Sequence, residues 1–203
     1  RRLNLLLRRW LERELAYQRE WEPFVPVKIE WDFGKNGSTP LALSVAGGKI
    51  YLNGRIDRID SDGSGLFVTD YKRGATPSGS DLTAGLDLQM PVYLLALAAL
   101  EPQNVVLGGG YYSLKEARRK GGFALQALGK TPFTINNKPF SEGDDQWSDF
   151  SDFCRITIRG YADALHQGIF PPAPRKKCPE FCPGKDICRA YGSLAAEGGE
   201  ENV

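Results

Sequence analysis

A tight turn between two short strands is the feature that most constrains this chain of 203 residues. It lies in the sequence GRIDRIDSDGSGLFVTDYKRG, residues 54–74. The Ser, Asp and Gly cluster predicts a turn centred on Gly63 and Ser64, so the flanking strands pair with Asp57 opposite Asp70. Directly opposed residues lie ~5 Å apart at Cβ, where like charges repel each other. Such a pair requires a bound cation or a shared proton.

Lys72 adds a cation to the same surface. Strand side chains repeat every two residues, so Lys72 projects on the face of Asp70. That face also carries Leu66 and Val68, and charges beside apolar neighbours need compensation. An isolated Asp-x-Lys is usually a solvated strand edge. With a second acid across the turn, the sequence predicts a metal-assisted site that cuts phosphodiesters.

Composition is that of an ordinary globular protein, with 41% hydrophobic and 25% charged residues. The net charge of +1 excludes a global field that attracts nucleic acid, although local basic clusters occur at residues 115–120 and 175–177. A solvated surface is the simplest interpretation of those clusters. We expect no membrane segment and a cytoplasmic location, because no apolar run approaches ~20 residues and no signal peptide is visible.

Hydrophobic periodicity predicts a mixed α/β domain, with helices flanking a small central sheet. The second helix is expected to begin at an N-cap formed by Ser80 and Asp81, and to be kinked by Pro91. The predicted helices cover residues 2–21, 81–100 and 141–168, and the predicted strands cover residues 27–33, 49–60, 66–72 and 104–114.

Four motifs occur in a characteristic order: GRIDRID, VTDYKRG, LQMPVYLLAL and the tail CPEFCPGKDIC. In this order and spacing they resemble the PD-(D/E)xK nuclease domain of the RecB and AddB helicase-nucleases. The resemblance covers Val27 to Tyr191 and implies a restriction-endonuclease-like core. It also implies an exonuclease-like deoxyribonuclease that acts with DNA and a helicase subunit in double-strand break repair and recombination.

The resemblance assigns roles to individual residues. It implies that Mg²⁺ or Mn²⁺ is held by Asp57, Asp70 and the backbone carbonyl of Tyr71. Lys72 matches the catalytic lysine. The pair Gln89 and Tyr93, four residues apart on one helix, matches side chains that line the active site and contact the DNA. Glu30 matches an acidic strand residue, and a solvated strand charge is an equally weighted alternative.

The cysteines suggest a second metal. The spacing of Cys178, Cys182 and Cys188 favours a metal site over disulfides in a cytoplasmic protein. The resemblance implies a 4Fe-4S cluster completed by an upstream cysteine, with zinc or no metal as the alternatives. Cys154, inside the last predicted helix, is expected to be a buried, unreactive thiol.

A histidine that the family carries before its sheet has no counterpart here. The chain's one histidine, His166, is expected to be a surface or packing residue. Because the chain opens at Arg1 inside a helical pattern, we expect a longer protein that supplies the missing histidine upstream. The fourth cluster ligand is expected either to lie upstream as well or to be replaced by another group.

The expected organisation is an N-terminal helix at 1–26, a nuclease core at 27–170 and a Cys-rich tail at 171–203. Two alternatives to a nuclease stay open. One is a non-catalytic DNA-binding or scaffolding module whose salt-sensitive phosphate contacts come from Lys115, Arg118, Arg119 and Lys120. The other is a structural iron-sulfur or zinc domain.

Overall fold

The computed structural model describes residues 2–20, 24–78, 81, 84–124, 134–135, 146–169 and 187. The chain divides into two units, Arg1–Ala162 and Asp163–Val203. None of the described helices has the length and apolar character needed to cross a membrane. The elements in chain order are α1 (Arg2–Glu20), β1 (Val25–Phe33), β2 (Leu41–Val45), β3 (Gly48–Leu52), β4 (Gly54–Ser61), β5 (Leu66–Lys72), α2 (Gln89–Leu100), β6 (Val106–Ser113), β7 (Arg118–Ala124), β8 (Thr134–Ile135) and α3 (Gln146–His166).

The main sheet has six strands in the order β1-β4-β5-β6-β7-β8, and β2 and β3 form a separate hairpin. The pairs β5–β6 and β7–β8 are parallel, whereas β1–β4, β4–β5 and β6–β7 are antiparallel. The connection between β5 and β6 contains α2, as a parallel pair requires. The predicted mixed α/β architecture is therefore confirmed.

Three details differ from the sequence-based expectation. The single strand expected over residues 49–60 is two strands, because 48–52 pair with β2 while 54–61 pair with β1 and β5. Strands β2, β7 and β8 were not predicted. Helix α2 begins at Gln89 instead of residue 81, which places Pro91 in the first turn. Proline is tolerated there because the first N–H groups of a helix have no partner within it, so Pro91 marks the start of the helix and not a kink.

One face of the sheet is covered by α2 and by α3. Met90, Leu94 and Leu97 of α2 are fully buried, as are Phe150 and Cys154 of α3. Burial raises the pKa of the Cys154 thiol to about 12, in agreement with the inert thiol expected there. Helix and sheet approach closely at the glycine run of β6.

The other face of the sheet binds α1 through a buried ion-pair network. Glu14 of α1 is 6% exposed, and its carboxylate contacts Arg58 of β4 and Arg119 of β7, each at 2.8 Å. Arg58 also contacts Asp60 at 2.7 Å, and donates to the Tyr71 hydroxyl at 3.1 Å. Two carboxylates therefore compensate two buried guanidinium groups, and this network attaches α1 to the sheet behind β5.

Replacing Gly109 in β6 by alanine should destabilise the fold. The added Cβ would lie 2.5 Å from Met90 Sδ and 3.3 Å from Leu94 Cδ2. Overpacking of this kind costs about 1–3 kcal/mol of unfolding free energy. Gly160→Ala is the matched control, because its Cβ would meet nothing within 4 Å on the exposed side of α3. It should stabilise the helix by roughly 0.5–1 kcal/mol. Urea unfolding measures both, and equal midpoints for the two variants would contradict the packing described.

Glu14→Gln should lower the free energy of unfolding by about 3–5 kcal/mol, because it leaves two buried guanidinium groups with one carboxylate fewer. Glu12→Gln, on the exposed side of α1, should change it by less than about 0.5 kcal/mol. Urea unfolding of both variants tests the network. A loss below about 1 kcal/mol for Glu14→Gln would show that α1 is held mainly by apolar contacts.

Candidate active site

The register of the β4–β5 hairpin is the predicted one. Arg58 pairs with Thr69 and Ser61 with Leu66, which centres the turn on Gly63 and Ser64. Asp62 sets the turn, because its Oδ1 accepts hydrogen bonds from the N–H groups of Ser64 at 2.8 Å and Gly65 at 3.2 Å.

Asp57 of β4 and Asp70 of β5 lie one residue beyond the Arg58–Thr69 pair, at the end of the ladder away from the turn. Asp57 is half-buried, and its Oδ2 accepts a hydrogen bond from the backbone N–H of Tyr71 at 2.9 Å. The Asp57 carboxylate is thus oriented by the residue between Asp70 and Lys72. The structure brings together the two acids and the lysine that were singled out from the sequence.

Asp70 is the most buried of these groups, at 2% exposed. Its Oδ2 lies 2.9 Å from Lys72 Nζ, and its Oδ1 accepts a hydrogen bond from Gln89 Nε2 at 2.9 Å. Burial raises the pKa of Asp70 above its usual value, the Lys72 ammonium opposes that shift, and the negative charge of Asp57 adds to it. The carboxylate is therefore held in a site that disfavours its charge unless a further cation is present.

Gln89 connects the hairpin to α2. Its Nε2 also donates to the Tyr93 hydroxyl at 2.9 Å, and its Oε1 accepts from Lys72 Nζ. Tyr93 packs edge-on against Phe33, with ring centroids 6.1 Å apart, and burial raises the pKa of its hydroxyl. Residues i and i+4 of a helix share a face, which is why both side chains reach the site from the first turns of α2.

The donor set suits a hard divalent cation. Asp70 Oδ2 is buried and has no hydrogen bond besides its ion pair with Lys72, and the negative charge of Asp57 acts on the same carboxylate. Among the described residues, no group of three or more His, Cys, Asp or Glu is arranged to hold a metal. Mg²⁺ does not require one, because it is usually bound by one or two carboxylates, waters and substrate phosphates. The backbone carbonyl of Tyr71 is a third oxygen of the type that Mg²⁺ prefers.

Glu30 lies apart from the hydrogen bonds that join these groups. Its side chain on edge strand β1 is 58% exposed and pairs with Arg55 at 3.3 Å. The position has φ of 50°, a left-handed conformation that is uncommon for a residue other than glycine. A catalytic role for Glu30 stays a prediction, and the exposed ion pair agrees with its alternative of a solvated strand charge.

The remaining candidates fall at other positions. His166 ends α3 and is exposed, as expected. Cys178, Cys182 and Cys188 lie outside the described residues, so the metal site predicted there stays a prediction. Arg119, suggested as a phosphate contact, is instead buried against Glu14, with its guanidinium 3.3 Å from the centre of the Tyr17 ring. The reason is that β7, a strand not predicted from the sequence, turns this side chain towards α1.

Two further residues at the site were missed from the sequence. Asp87 precedes α2, and its negative charge also raises the pKa of Asp70, by less than burial and the charge of Asp57 do. Tyr111 of β6 lies beside Asp70 in the parallel ladder. Asp87 could have been noticed as an acid two residues before Gln89. Nothing local marks Tyr111, because its place depends on the parallel pairing of β5 with β6.

Asp70→Asn should raise thermal stability in EDTA. Since burial raises the folded-state pKa of Asp70 above the ~3.9 of an unfolded aspartate, ionisation at neutral pH opposes folding, and this cost vanishes once the pH falls below the unfolded value. The variant should therefore melt above wild type at pH 8, with a difference that shrinks towards pH 4. Circular dichroism melts at several pH values measure this.

Asp62→Asn is the control of opposite sign. Burial opposes the charge of Asp62, but its hydrogen bonds from Ser64 and Gly65 hold the pKa below the usual value. The charged form thus stabilises the fold at neutral pH, and Asp62→Asn should melt below wild type by a margin that shrinks on acidification. If Asp70→Asn melts below wild type throughout, its ion pair with Lys72 outweighs the cost of burial.

Comparisons with known proteins agree with this geometry. The chain is similar to proteins described as subunits of an ATP-dependent helicase/deoxyribonuclease. The relative from Acetivibrio thermocellus is 40% identical over 102 residues, which cover 45% of this chain and 9% of the relative. The relative from Alkaliphilus metalliredigens is 43% identical over 89 residues, covering 40% and 8%. The relative from Clostridium acetobutylicum is 35% identical over 133 residues, covering 59% and 11%.

The matched region therefore spans about a tenth of the length of these relatives. A family model described as "PD-(D/E)XK nuclease superfamily" matches residues 1–189. That match includes both strands of the hairpin and all of α2, which carry the acids, the lysine and the glutamine-tyrosine pair. This chain belongs to the PD-(D/E)XK nuclease superfamily.

Proposed function

We propose that this chain is a deoxyribonuclease domain that hydrolyses phosphodiesters with Mg²⁺ or Mn²⁺. The observation that carries the proposal is the convergence of Asp57, Asp70 and Lys72, with Gln89 hydrogen-bonded to both of the latter two. A buried carboxylate beside a second acid is costly to keep for stability alone. A cation site that recruits a phosphodiester accounts for that cost.

Asp57, Asp70 and the Tyr71 carbonyl would hold the metal ion, which when bound supplies a water activated near neutral pH and charge stabilisation on the phosphate oxygens. Lys72 is an ammonium in an ion pair with Asp70, so it acts as a donor. In that role it orients the attacking water and neutralises charge that develops on the phosphate. Gln89 keeps the ammonium in place through its Oε1, and Tyr93 in turn holds the Gln89 amide.

DNA is the substrate that we propose, because the name of the relatives includes a deoxyribonuclease. The same name includes a helicase, so a helicase subunit or a helicase region of a longer chain is the proposed partner. We propose that the nuclease and its helicase partner together process double-strand breaks in repair and recombination. An iron-sulfur cluster at Cys178, Cys182 and Cys188 is proposed only from the family resemblance.

A non-catalytic DNA-binding module is the less favoured alternative. Its proposed phosphate contacts are weakened in this fold, because Arg119 is buried, while Arg118 and Lys120 both pair with Glu116, at 2.5 Å and 2.7 Å. Such a module also has no need of Asp57, Asp70 and Lys72 in one place. The cleavage assay below separates the two functions.

Lys72→Ala should lower the cleavage rate of end-labelled single- and double-stranded DNA by about 10²- to 10³-fold, the usual cost of losing one preorganised charge-stabilising group. The matched control is Lys49→Ala, an exposed lysine on β3, which should cut at the wild-type rate. EDTA should abolish cutting by every variant, and Mg²⁺ or Mn²⁺ should restore it where Lys72 is intact. Undiminished cutting by folded Lys72→Ala would remove the proposed mechanism.

A metal-binding readout that does not need turnover completes the test. Mg²⁺ should raise the melting temperature of wild type and of Lys49→Ala, because a ligand that binds only the folded state stabilises it by mass action. The rise should be absent in Asp70→Asn. A folded wild type that neither cuts DNA nor responds to Mg²⁺ or Mn²⁺ would indicate either the non-catalytic module or a site that is incomplete without the upstream histidine. The same assay on the longer parent chain would separate these two outcomes.

A further inference from the structure

Tyr111 lies beside Lys72 on the strand next to β5. It pairs with Asp70 in the parallel ladder, is 1% exposed, and lies with its ring centroid 5.5 Å from Lys72 Nζ. An ammonium within about 6 Å of an aromatic ring centroid, over its face, is attracted by the ring's electron density. Among the described residues, the Lys72 ammonium thus contacts Asp70, Gln89 and this ring.

The ring of Tyr111 is itself held in place by Asp87. Its hydroxyl donates to Asp87 Oδ1 at 3.2 Å, and the same oxygen accepts the backbone N–H of Gln89 at 3.1 Å. Leu88, the residue directly before α2, has no side chain that can accept a hydrogen bond from the first turn of the helix. The Asp87 carboxylate, one residue earlier in the chain, accepts the Gln89 N–H instead. Asp87 therefore joins the ring under Lys72 to the start of the helix that carries Gln89.

This geometry gives the ammonium an aromatic neighbour in addition to its two polar partners. A lysine side chain is long and flexible, and two polar contacts alone allow its end to pivot. A buried ring limits this movement of the ammonium. It attracts the positive charge without adding a second carboxylate that would neutralise it. Asp87 keeps the ring and the helix start at one fixed separation, so Lys72 and Gln89 stay in register.

We propose that Tyr111 and Asp87 are positioning residues for the Lys72 ammonium, Tyr111 through its ring face and Asp87 by fixing that ring against the first turn of α2. The catalytic consequence rests on the proposed nuclease function. The placement of the ammonium over the ring does not, and it can be measured separately.

The first readout is the chemical shift of the Lys72 ε-methylene protons in a chain labelled with ¹³C-lysine, assigned with Lys72→Arg. Protons over an aromatic face are shifted upfield, so these resonances should lie upfield of the other lysines in wild type and in Tyr111→Phe, which keeps the ring. In Tyr111→Leu they should return to the range of the others. Tyr112→Leu is the matched control, since Tyr112 is equally buried but packs on Tyr71 on the opposite face, and it should leave the shift in place.

The second readout is single-turnover cleavage at saturating DNA. Tyr111→Leu should lose about tenfold in rate, within the range expected for a desolvated ammonium-ring contact. Tyr111→Phe should stay within about threefold of wild type by the same reasoning, and the dissociation constant for DNA in EDTA should change less than about twofold in both. Asp87→Asn, which keeps an acceptor oxygen, should resemble wild type, and Asp87→Ala should move towards Tyr111→Leu in both readouts.

An ordinary Lys72 shift in wild type, or one that persists in folded Tyr111→Leu, overturns the proposal. So does a rate loss in Tyr111→Phe as large as that in Tyr111→Leu, because the hydroxyl and not the ring would then matter. Thermal melts establish that each variant is folded. If wild type does not cut DNA, the rate comparison is lost, and the methylene shifts alone decide whether Tyr111 and Asp87 position Lys72.

Discussion

A carboxylate that is almost completely removed from water, that of Asp70, determines the arrangement of the site. Burying a charge is unfavourable unless other groups compensate it. Here compensation comes from the Lys72 ammonium on one oxygen and the Gln89 amide on the other. The second acid, Asp57, makes compensation harder, because its charge adds to the rise in the pKa of Asp70. The excess negative charge is what a divalent cation would neutralise.

The buried charges are balanced differently on the two faces of the sheet. On the face of α2, the acids outnumber the lysine, and the site is left ready for a cation. On the face of α1, the Glu14 and Asp60 carboxylates balance the Arg58 and Arg119 guanidinium groups within the protein. Tyr71 connects the faces: its hydroxyl accepts from Arg58, while its backbone N–H donates to Asp57. A buried network that is internally neutral can thus hold the strand on which an unbalanced site is built.

Much of this arrangement was predictable from local sequence. The turn cluster around Gly63 predicted the hairpin register correctly, because a short turn determines which residues of two strands face each other. The four-residue spacing of Gln89 and Tyr93 predicted a shared helix face. The start of α2 was predicted wrongly, since an apparent N-cap at Ser80 and Asp81 was given more weight than the preference of Pro91 for a first turn. Strand β7 was missed because RRKGGF has no clear alternation of polar and apolar residues.

The sequence by itself determined the β4–β5 hairpin, the shared helix face of Gln89 and Tyr93, and the presence of two acids and a lysine on one face of the hairpin. Each of these depends on residues close together in the chain. The tertiary structure alone decided what surrounds Lys72. The parallel pairing of β5 with β6 brings Tyr111 beside Asp70 from a distant part of the chain, and close packing at Gly109 sets α2 at the distance from which Gln89 reaches both charges. Such contacts depend on packing between distant segments, for which no local pattern exists.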